Sequence, residues 1–370
     1  TLEAPLHGAQ GPDSTPREPL PSAPTLIRGG TVMTAAGEII EGGDVLLRDG
    51  RIAAIGANLE APADARVIDA SGRFVTPGII DTHSHLGAYP SPAVPAHSDG
   101  NEATDPNTAQ VWVEHSVWPQ DPGFIRALEG GITTLQILPG SANLFGGRGV
   151  TLRNVPARTV QEMKFPGAPY GLKMACGENP KRVYGDWGRI PSTRMGNVAV
   201  VRAAWSRAQE YRDRLDAWQR GSRSPASMPP RDLAMETLVG ALEGEILVHN
   251  HCYRADEMAW MVDVAKEFGY QIRSFHHGVE AYKIRDLLAE EEISGSLWAD
   301  WWGFKMEAMD FTNANVALVH QAGARAIVHS DDPIGIQRLN QEAAKAIRAG
   351  RDVGIDISED DALRWITANA

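Results

Sequence analysis

The chain has 370 residues, 43% of them hydrophobic, so it is long enough to bury one large catalytic domain and a smaller one. Its formal net charge of −12 and its pI near 5.4 argue against nucleic acid or an anionic membrane as the main partner, because both favour a basic face. No apolar run approaches the length that crosses a bilayer, so we expect a small-molecule substrate and no membrane partner, with homo-oligomer formation left open.

The chain begins with Thr, and residues 1–24 are rich in Pro, Gly, Ser and charge without hydrophobic periodicity. This composition predicts a disordered leader. Such a start fits either the mature end left by a signal peptide or an arbitrary boundary, and we favour an exported, periplasmic protein over a cytoplasmic one.

Residues 25–76 predict a small β module, because short β-rich runs alternate there with turn signals. Asp49 and Gly50 lie between two apolar runs, and the Asp-Gly pair is typical of a β-hairpin.

From residue 77 to residue 370, apolar strand-like runs alternate with helical segments, which is the pattern of repeated β-α units. We place eight strands, at residues 79–83, 132–138, 149–152, 171–176, 246–251, 271–277, 295–299 and 324–330. The predicted fold class is therefore α/β, with a (β/α)8 TIM-like barrel at 77–370.

Histidines concentrate at the ends of four predicted strands. Seven of the 11 histidines lie there, whereas histidines that fill a core or cover a surface would scatter: His83, His85, His249, His251, His276, His277 and His329. Side chains at the carboxyl ends of barrel strands form the active site in this fold class. Asp331 follows the last of these strands, and imidazoles with a carboxylate suit Zn²⁺ or a similar divalent ion. The sequence therefore predicts a metal site that activates water for hydrolysis.

Several segments resemble the amidohydrolase superfamily of metal-dependent hydrolases. Residues 75–86 (VTPGIIDTHSHL) look like its signature strand, and residues 130–134 (GGITT) look like the entry to its second strand. The segments 29–32 (GGTV) and 49–52 (DGRI) are similar to the first half of its small β-sandwich. The nearest branch resembles imidazolonepropionase and prolidase. The resemblance also implies a C-terminal half of the sandwich, which we expect to be absent because the chain stops at Ala370, as after a truncation.

The resemblance assigns roles to individual residues. His83 and His85 would bind the first metal ion, His251 and His277 would be ligands from later strands, and Asp331 would be both a ligand and the proton shuttle. We interpret His249 and His329 as contacts to the substrate or supports of the ligands. Asp332 and His276 are one residue out of phase, so we interpret them as structural or orienting groups.

The ligand that bridges two metal ions is left open between Lys173 and Glu178, since families of this kind use either a carbamylated lysine or a glutamate. Strand alternation lets one of the two point inward if the strand is straight. An outward Lys173 would be buried without a partner, so we favour an inward and carbamylated Lys173. Glu178 stays open, because Gly177 can break the alternation, and an inward lysine paired with a carboxylate is the structural alternative. One or two Zn²⁺ ions are expected.

Three further features have less specific interpretations. Arg148, in a glycine-rich loop after a strand, is a candidate contact for a substrate carboxylate, and an ordinary tight connection explains the loop nearly as well. Trp298, Trp301 and Trp302 would wall the pocket or simply pack. Alternation sends Cys176 and Cys252 out of the barrel, where we expect free thiols rather than nucleophiles.

We conclude from the sequence that the chain hydrolyses a C–N bond in a small amide, cyclic amide or dipeptide-like substrate. A metal-dependent deaminase is the alternative within enzymes, because the same water would attack an amidine carbon. A non-catalytic scaffold of the same fold would have lost its ligands, and here every expected histidine is present.

Overall fold

The computed structural model describes residues 23–221 and 228–370. The predicted leader at 1–24 therefore lies outside the described residues except for its last two positions. No helix in the described ranges is long and apolar enough to span a membrane.

A five-stranded sheet occupies the region of the predicted β module. Its strands run in the order β3-β2-β1-β4, and β5 pairs with β1: β1 (Thr25–Met33), β2 (Ile39–Arg48), β3 (Arg51–Gly56), β4 (Arg66–Asp69) and β5 (Phe74–Val75). Asp49 and Gly50 join β2 to β3, and both have positive φ angles, of 53° and 69°. Two such residues are what a type I′ hairpin turn requires, so the predicted hairpin is confirmed. One sheet is present here in the described residues, and a second sandwich layer is not among them.

Eight further strands form a second, nearly closed sheet in chain order. They are β6 (Ile79–Ser84), β7 (Ile132–Ile137), β8 (Phe145–Arg153), β9 (Gly171–Ala175), β10 (Leu247–Cys252), β11 (Ile272–His277), β12 (Ser294–Leu297) and β13 (Ala326–Val328). A backbone hydrogen bond bridges the remaining gap, since the N–H of Asp331 donates to the carbonyl of His83 over 3.0 Å. All eight predicted strands are present.

One strand corrects the predicted (β/α)8 repeat. β8 runs antiparallel to both β7 and β9, whereas the other neighbours in the barrel are parallel. The connection from β7 to β8 spans only residues 138–144, which is too short for a helical crossover and is long enough for a hairpin-like return. Residues 145–148, which include Arg148 and which we predicted as loop, therefore belong to a strand.

Helices cover the outside of the barrel and bury their apolar faces against it. They are α1 (Pro122–Glu129), α2 (Val160–Met163), α3 (Glu178–Asp186), α4 (Arg194–Arg220), α5 (Leu233–Leu242), α6 (Ala255–Phe268), α7 (Arg285–Glu290), α8 (Asn315–Gln321), α9 (Leu339–Asp352) and α10 (Glu359–Trp365). Trp205 of α4 is fully buried, with its ring stacked 4.2 Å from that of Tyr270 and edge-on to Phe145 of β8. Burying one side chain of this size contributes roughly 2 to 3 kcal/mol, so such contacts hold the helices on the sheet.

The two cysteines form a disulfide, which corrects the expectation of free thiols. Cys176 and Cys252 have Cα atoms 5.3 Å apart, and the bond joins the carboxyl ends of β9 and β10. Alternation does send both side chains outward, as predicted. The strands are neighbours with Ala175 opposite His251, so the next residue of each strand meets its counterpart at the same height.

Candidate metal centre

Two groups of potential metal ligands share His83 at the carboxyl end of the barrel. One consists of His83, His277 and His329, and the other of His83, His85 and Asp331; in each group the candidate ligand atoms lie within 4.8 Å of one another. The strands β6, β11 and β13 bring these residues together from positions almost 250 residues apart in the chain. The predicted convergence of strand ends therefore occurs.

The tautomer of His85 is determined by a backbone contact. Nδ1 of His85 lies 2.8 Å from the carbonyl oxygen of Leu138, which can only accept a hydrogen bond. Nδ1 of His85 therefore carries a proton, and Nε2 is the nitrogen that a metal ion would bind. Nε2 of His85 lies 3.1 Å from Oδ1 of Asp331, and Nε2 of His83 lies 3.6 Å from the same oxygen.

Asp331 holds its carboxylate between the histidines in a left-handed backbone conformation, with φ of 53°. Its Oδ2 lies 3.8 Å from Nδ1 of His277. Burial raises the pKa of Asp331, but the hydrogen bond and charge of His85, with the charges of His329 and Lys173, outweigh it and leave the pKa below its ordinary value. The group is therefore an anion at neutral pH, as a ligand and proton acceptor must be.

A second left-handed residue changes the end of β11. His277 has a φ of 71°, which interrupts the alternation of the strand, so the rings of both His276 and His277 lie next to His83. Nδ1 of His276 is 2.8 Å from Nδ1 of His83. The out-of-phase placement predicted for His276 is wrong, because His276 is opposite the inward-facing His251, and the left-handed His277 is the residue that departs from alternation.

The buried nitrogen atoms of this cluster fit a metal ion. Among the described residues, Nε2 of His83, Nδ1 of His251, Nδ1 of His277 and both ring nitrogens of His329 are buried without a hydrogen-bond partner. Burial, followed by the positive charge of Lys173, lowers the pKa of His83 and His251 well below the ordinary value. Neutral imidazoles have free lone pairs, and a bound cation would satisfy nitrogens whose burial is otherwise costly.

Lys173 points into the barrel and is almost fully buried. Its Nζ donates a hydrogen bond of 2.8 Å to the carbonyl of Pro139. Burial lowers the pKa of Lys173 to about 8, although the charge of Asp331 acts in the opposite direction. Glu178 instead begins α3 and lies 3.4 Å from Nζ of Lys305, outside both ligand groups. The placement favours Lys173 over Glu178 as a bridging ligand.

His251 lies next to the ligand groups but is not a member of either. Its ring centre is 4.6 Å from that of His277, and its Nε2 is 3.4 Å from the side-chain nitrogen of Asn179. His329, which we expected to contact substrate, is instead within ligand distance of His83 and His277.

Two predicted substrate contacts lie away from the metal cluster. Arg148 is buried on the outer side of β8, where its Nε donates to Thr237 over 2.8 Å and its guanidinium lies 4.3 Å above the ring of Trp112. His249 lies deeper in the barrel, bonded to His276 and Gln136. Arg148 is opposite Leu172 in the antiparallel β8–β9 pair and faces outward with it. We expected a loop at this position, and a loop does not indicate which way a side chain points. Neither residue belongs to the two ligand groups.

Aromatic side chains wall the cluster on one side. Trp298 stacks on His277 with ring centres 4.2 Å apart, and Trp301 stacks on Trp298 at 4.8 Å. Trp302 is 61% exposed and donates its indole N–H to the carbonyl of Met309, so it is not part of this wall. Asp332 accepts hydrogen bonds from the N–H groups of Ile334 and Gly335, as expected of a structural group.

Four further residues near the cluster were not found from the sequence. Tyr89 lies 5.7 Å from His85 between ring centres, and Tyr253 lies 4.7 Å from His251. Lys305 lies 4.6 Å above the ring of Tyr253 and donates to Asn179 over 2.9 Å. Tyr253 continues the alternation from His249 and His251, so that signal was available. Tyr89 and Lys305 lie in connections without a periodic pattern, and Asn179 is in the first turn of α3.

Known proteins are similar to this chain over most or part of its length. A solved amidohydrolase structure from Thermotoga maritima is 36% identical, covers 93% of this chain and 87% of its own, and superposes with a TM-score of 0.86. The amidohydrolase tasK of Hapsidospora irregularis is 34% identical over 365 residues, and a dihydroorotase of Halalkalibacterium halodurans is 37% identical over 115 residues. No protein-family profile matches the chain.

The coverage of these relatives differs. The chain spans 37% of the length of tasK, and the aligned segment spans 21% of the dihydroorotase. The Thermotoga maritima structure is matched over nearly its full length.

Proposed function

Because this chain belongs to the amidohydrolase family, whose members are hydrolases that use divalent metals, we propose that it hydrolyses a C–N bond of a small amide, cyclic amide or dipeptide-like substrate. The observation that carries the proposal is the cluster of His83, His85, His277, His329 and Asp331 with its unpartnered, buried ring nitrogens. If these histidines had only structural roles and bound no metal, burial of their unpartnered ring nitrogens would cost free energy and would have no explanation.

The proposed ligands are His83, His85, His277 and Asp331, with His251 and His329 completing the set. A divalent ion, which we propose to be Zn²⁺, would supply a water of lowered pKa and a polarised carbonyl when bound. His85 is oriented for this by Leu138, and His83 by His276.

Asp331 is proposed as the proton shuttle. Its depressed pKa keeps the carboxylate ready to accept a proton from water, and its position between His85 and His277 keeps that carboxylate at the reacting end of the barrel. Transfer of the same proton to the leaving nitrogen completes hydrolysis.

Lys173 is proposed as a carbamylated bridge between two ions. A lysine reacts with carbon dioxide only as the neutral amine, and the pKa of about 8 gives Lys173 a substantial neutral fraction near pH 8. The inward, buried position of Nζ supports the same role.

The side chains beside the proposed metal centre indicate what kind of substrate it would accept. Trp298 and Trp301 offer apolar ring faces beside His277, and Lys305 with Asn179 offers polar groups on the side of His251. On this basis we propose a compact substrate with one apolar part and one polar part. The local similarity to a dihydroorotase favours including cyclic amides among the candidates.

We also propose that the protein acts outside the reducing cytoplasm. The support is the Cys176–Cys252 disulfide, since such bonds persist mainly in oxidising compartments.

The test is a substrate panel with the purified chain loaded with Zn²⁺, Mn²⁺ or Co²⁺. The panel contains cyclic amides, dipeptides, N-acyl amino acids and aminopurines, so that hydrolysis and deamination are separated by product. Asp331→Asn is the matched control, because Asn also adopts the left-handed conformation that this position requires. We expect hydrolysis that Asp331→Asn lowers by at least about a thousandfold without loss of folding. Turnover of aminopurines alone would replace the proposal by a deaminase, and equal rates for the two proteins would overturn the role of Asp331.

A further inference from the structure

Three buried histidines and a glutamine form a hydrogen-bonded row inside the barrel. Nδ1 of His83 is 2.8 Å from Nδ1 of His276, and Nε2 of His276 is 3.0 Å from Nδ1 of His249. Nε2 of His249 is 3.1 Å from the side-chain nitrogen of Gln136. The row begins at the proposed metal centre and ends at a cavity of about 400 Å³ near the amino ends of the strands, which we term the lower cavity; its lining includes Gln136, His249 and Thr134.

Each hydrogen bond in this row determines the next, because a neutral imidazole has one N–H donor and one acceptor nitrogen. If His83 offers the lone pair of Nε2 to a metal, its proton is on Nδ1 and is donated to Nδ1 of His276. His276 then carries its proton on Nε2 and donates it to Nδ1 of His249. His249 is left with a proton on Nε2, which needs an acceptor at the end of the row.

Gln136 can accept a hydrogen bond from His249 or donate one to it. Its side-chain amide has an oxygen and an NH₂ group of nearly equal size, and rotation by half a turn exchanges them. With the oxygen toward His249, the row runs in the direction that frees Nε2 of His83. With the NH₂ group toward His249, every proton in the row moves to the other nitrogen, and Nε2 of His83 carries a proton where a metal would bind.

We propose that Gln136 is a positioning residue for metal binding, which acts through His249 and His276 on the tautomer of His83. The inference rests on the proposed function in one respect, that His83 is a metal ligand. Gln136 is separated from His83 by His276 and His249 in the row, so the proposal assigns a role in the metal site to a residue that lines the lower cavity.

Gly171 supplies a second, independent observation. A Cβ atom at Gly171, the first residue of β9, would lie 2.8 Å from Cδ2 of His249 and 3.3 Å from the side-chain nitrogen of Gln136. The absence of a side chain there leaves the room in which Gln136 and His249 meet. The φ angle of Gly171 is not in the left-handed range, so conformational freedom does not explain this glycine.

The experiment compares three variants of the full chain. Gln136→Met removes both hydrogen-bonding groups, and Gln136→Glu provides an acceptor only. Thr134→Val is the matched control, because Thr134 is on the same face of β7 and lines the same cavity. Zn²⁺ affinity is measured by competition with a chromophoric chelator. In parallel, the metal-free proteins labelled with ¹⁵N-histidine report which ring nitrogen carries each proton.

We expect Gln136→Met to weaken Zn²⁺ binding about tenfold, at the lower end of the effects known for groups that support metal ligands. Gln136→Glu should bind at least as tightly as the wild type and hold the proton of His83 on Nδ1 in the metal-free protein. Thr134→Val should leave both measurements unchanged. Wild-type affinity in both Gln136 variants, or a proton on Nε2 of His83 in metal-free Gln136→Glu, overturns the proposal. The tautomer measurement on the Glu variant decides the case even if the Met variant does not fold.

His83→Ala separates this inference from the proposed function. If His83→Ala loses Zn²⁺ while Gln136→Met retains it, only the positioning role is wrong. If His83→Ala binds Zn²⁺ as the wild type does, the metal centre itself is assigned wrongly.

Discussion

His83 and Asp331 join the first and last strands of the barrel at two points. The backbone N–H of Asp331 donates to the carbonyl of His83 over 3.0 Å, and Oδ1 of its carboxylate lies 3.6 Å from Nε2 of the same histidine. The contact that nearly closes the sheet is thus the contact that assembles the proposed metal centre. Stability of the barrel seam and occupancy of the site are expected to be coupled, since a ligand that binds only the folded state stabilises it.

Metal content should depend on Lys173 and on bicarbonate. We expect two equivalents of Zn²⁺ per chain in the presence of bicarbonate and fewer in its absence, because the carbamate that bridges two ions forms from carbon dioxide and the neutral amine. Lys173→Ala should hold one equivalent whether or not bicarbonate is present. Elemental analysis of the purified proteins measures this directly.

Glu178→Gln is the matched control for Lys173→Ala. Its carboxylate lies beside Lys305 and outside the ligand groups, so we expect unchanged metal content. If Glu178→Gln loses the second ion and Lys173→Ala keeps it, the bridge is Glu178.

The disulfide should stabilise the fold by about 2 to 4 kcal/mol, because it closes a loop with a sequence separation of 76 in the unfolded chain. Urea unfolding with and without a reductant measures this loss. The double variant Cys176→Ala/Cys252→Ala should show the same lower free energy of unfolding and no response to the reductant. The prediction would be contradicted if the free energy of unfolding of the wild type stayed the same after complete reduction, confirmed by thiol titration.

Glu257 should make the stability of the protein depend on pH. Burial and the neighbouring Glu307 raise the pKa of Glu257 to about 7, against the opposing charge of Arg194, to which it is bonded. Since the pKa of the folded state is above that of the unfolded chain, this contribution to stability is full below the unfolded pKa and is lost as pH rises through about 7.

Glu257→Gln, which remains neutral, should therefore gain stability relative to the wild type between pH 4.5 and 8. The gain is on the order of 3 kcal/mol, from about 1.4 kcal/mol per unit of pKa shift. Chemical unfolding of both proteins at several pH values gives this difference, and a difference that stays constant across the range would refute the assigned pKa.

Arg148 should matter for stability rather than for substrate binding. Arg148→Lys keeps the charge but loses the planar contact with Trp112 and the geometry of the bond to Thr237, so we expect a loss of about 1 to 2 kcal/mol. KM for any substrate found in the panel should change less than twofold. A large rise in KM with an unchanged free energy of unfolding would instead indicate that Arg148 contacts the substrate.

The sequence was sufficient to locate the strands and most of the residues that meet at their ends. Hydrophobic runs marked all eight barrel strands, and the histidines at their ends marked the cluster at the mouth. These features are local, since a buried strand must be apolar along its length and a side chain at its end needs no distant partner to be recognised.

Three features depended on tertiary structure. The direction of β8 decided that Arg148 faces outward, and the pairing of β9 with β10 placed Cys176 opposite Cys252. The register of β11 against β10 placed His276 inside the barrel, and the left-handed conformation of His277 turned that residue toward His83 as well. Alternation indicates which face of a strand a residue occupies only while the strand is regular and its neighbours are known. Strand direction, interruptions of the strand and choice of neighbour are determined by the packing of the whole barrel, so the local sequence by itself did not reveal them.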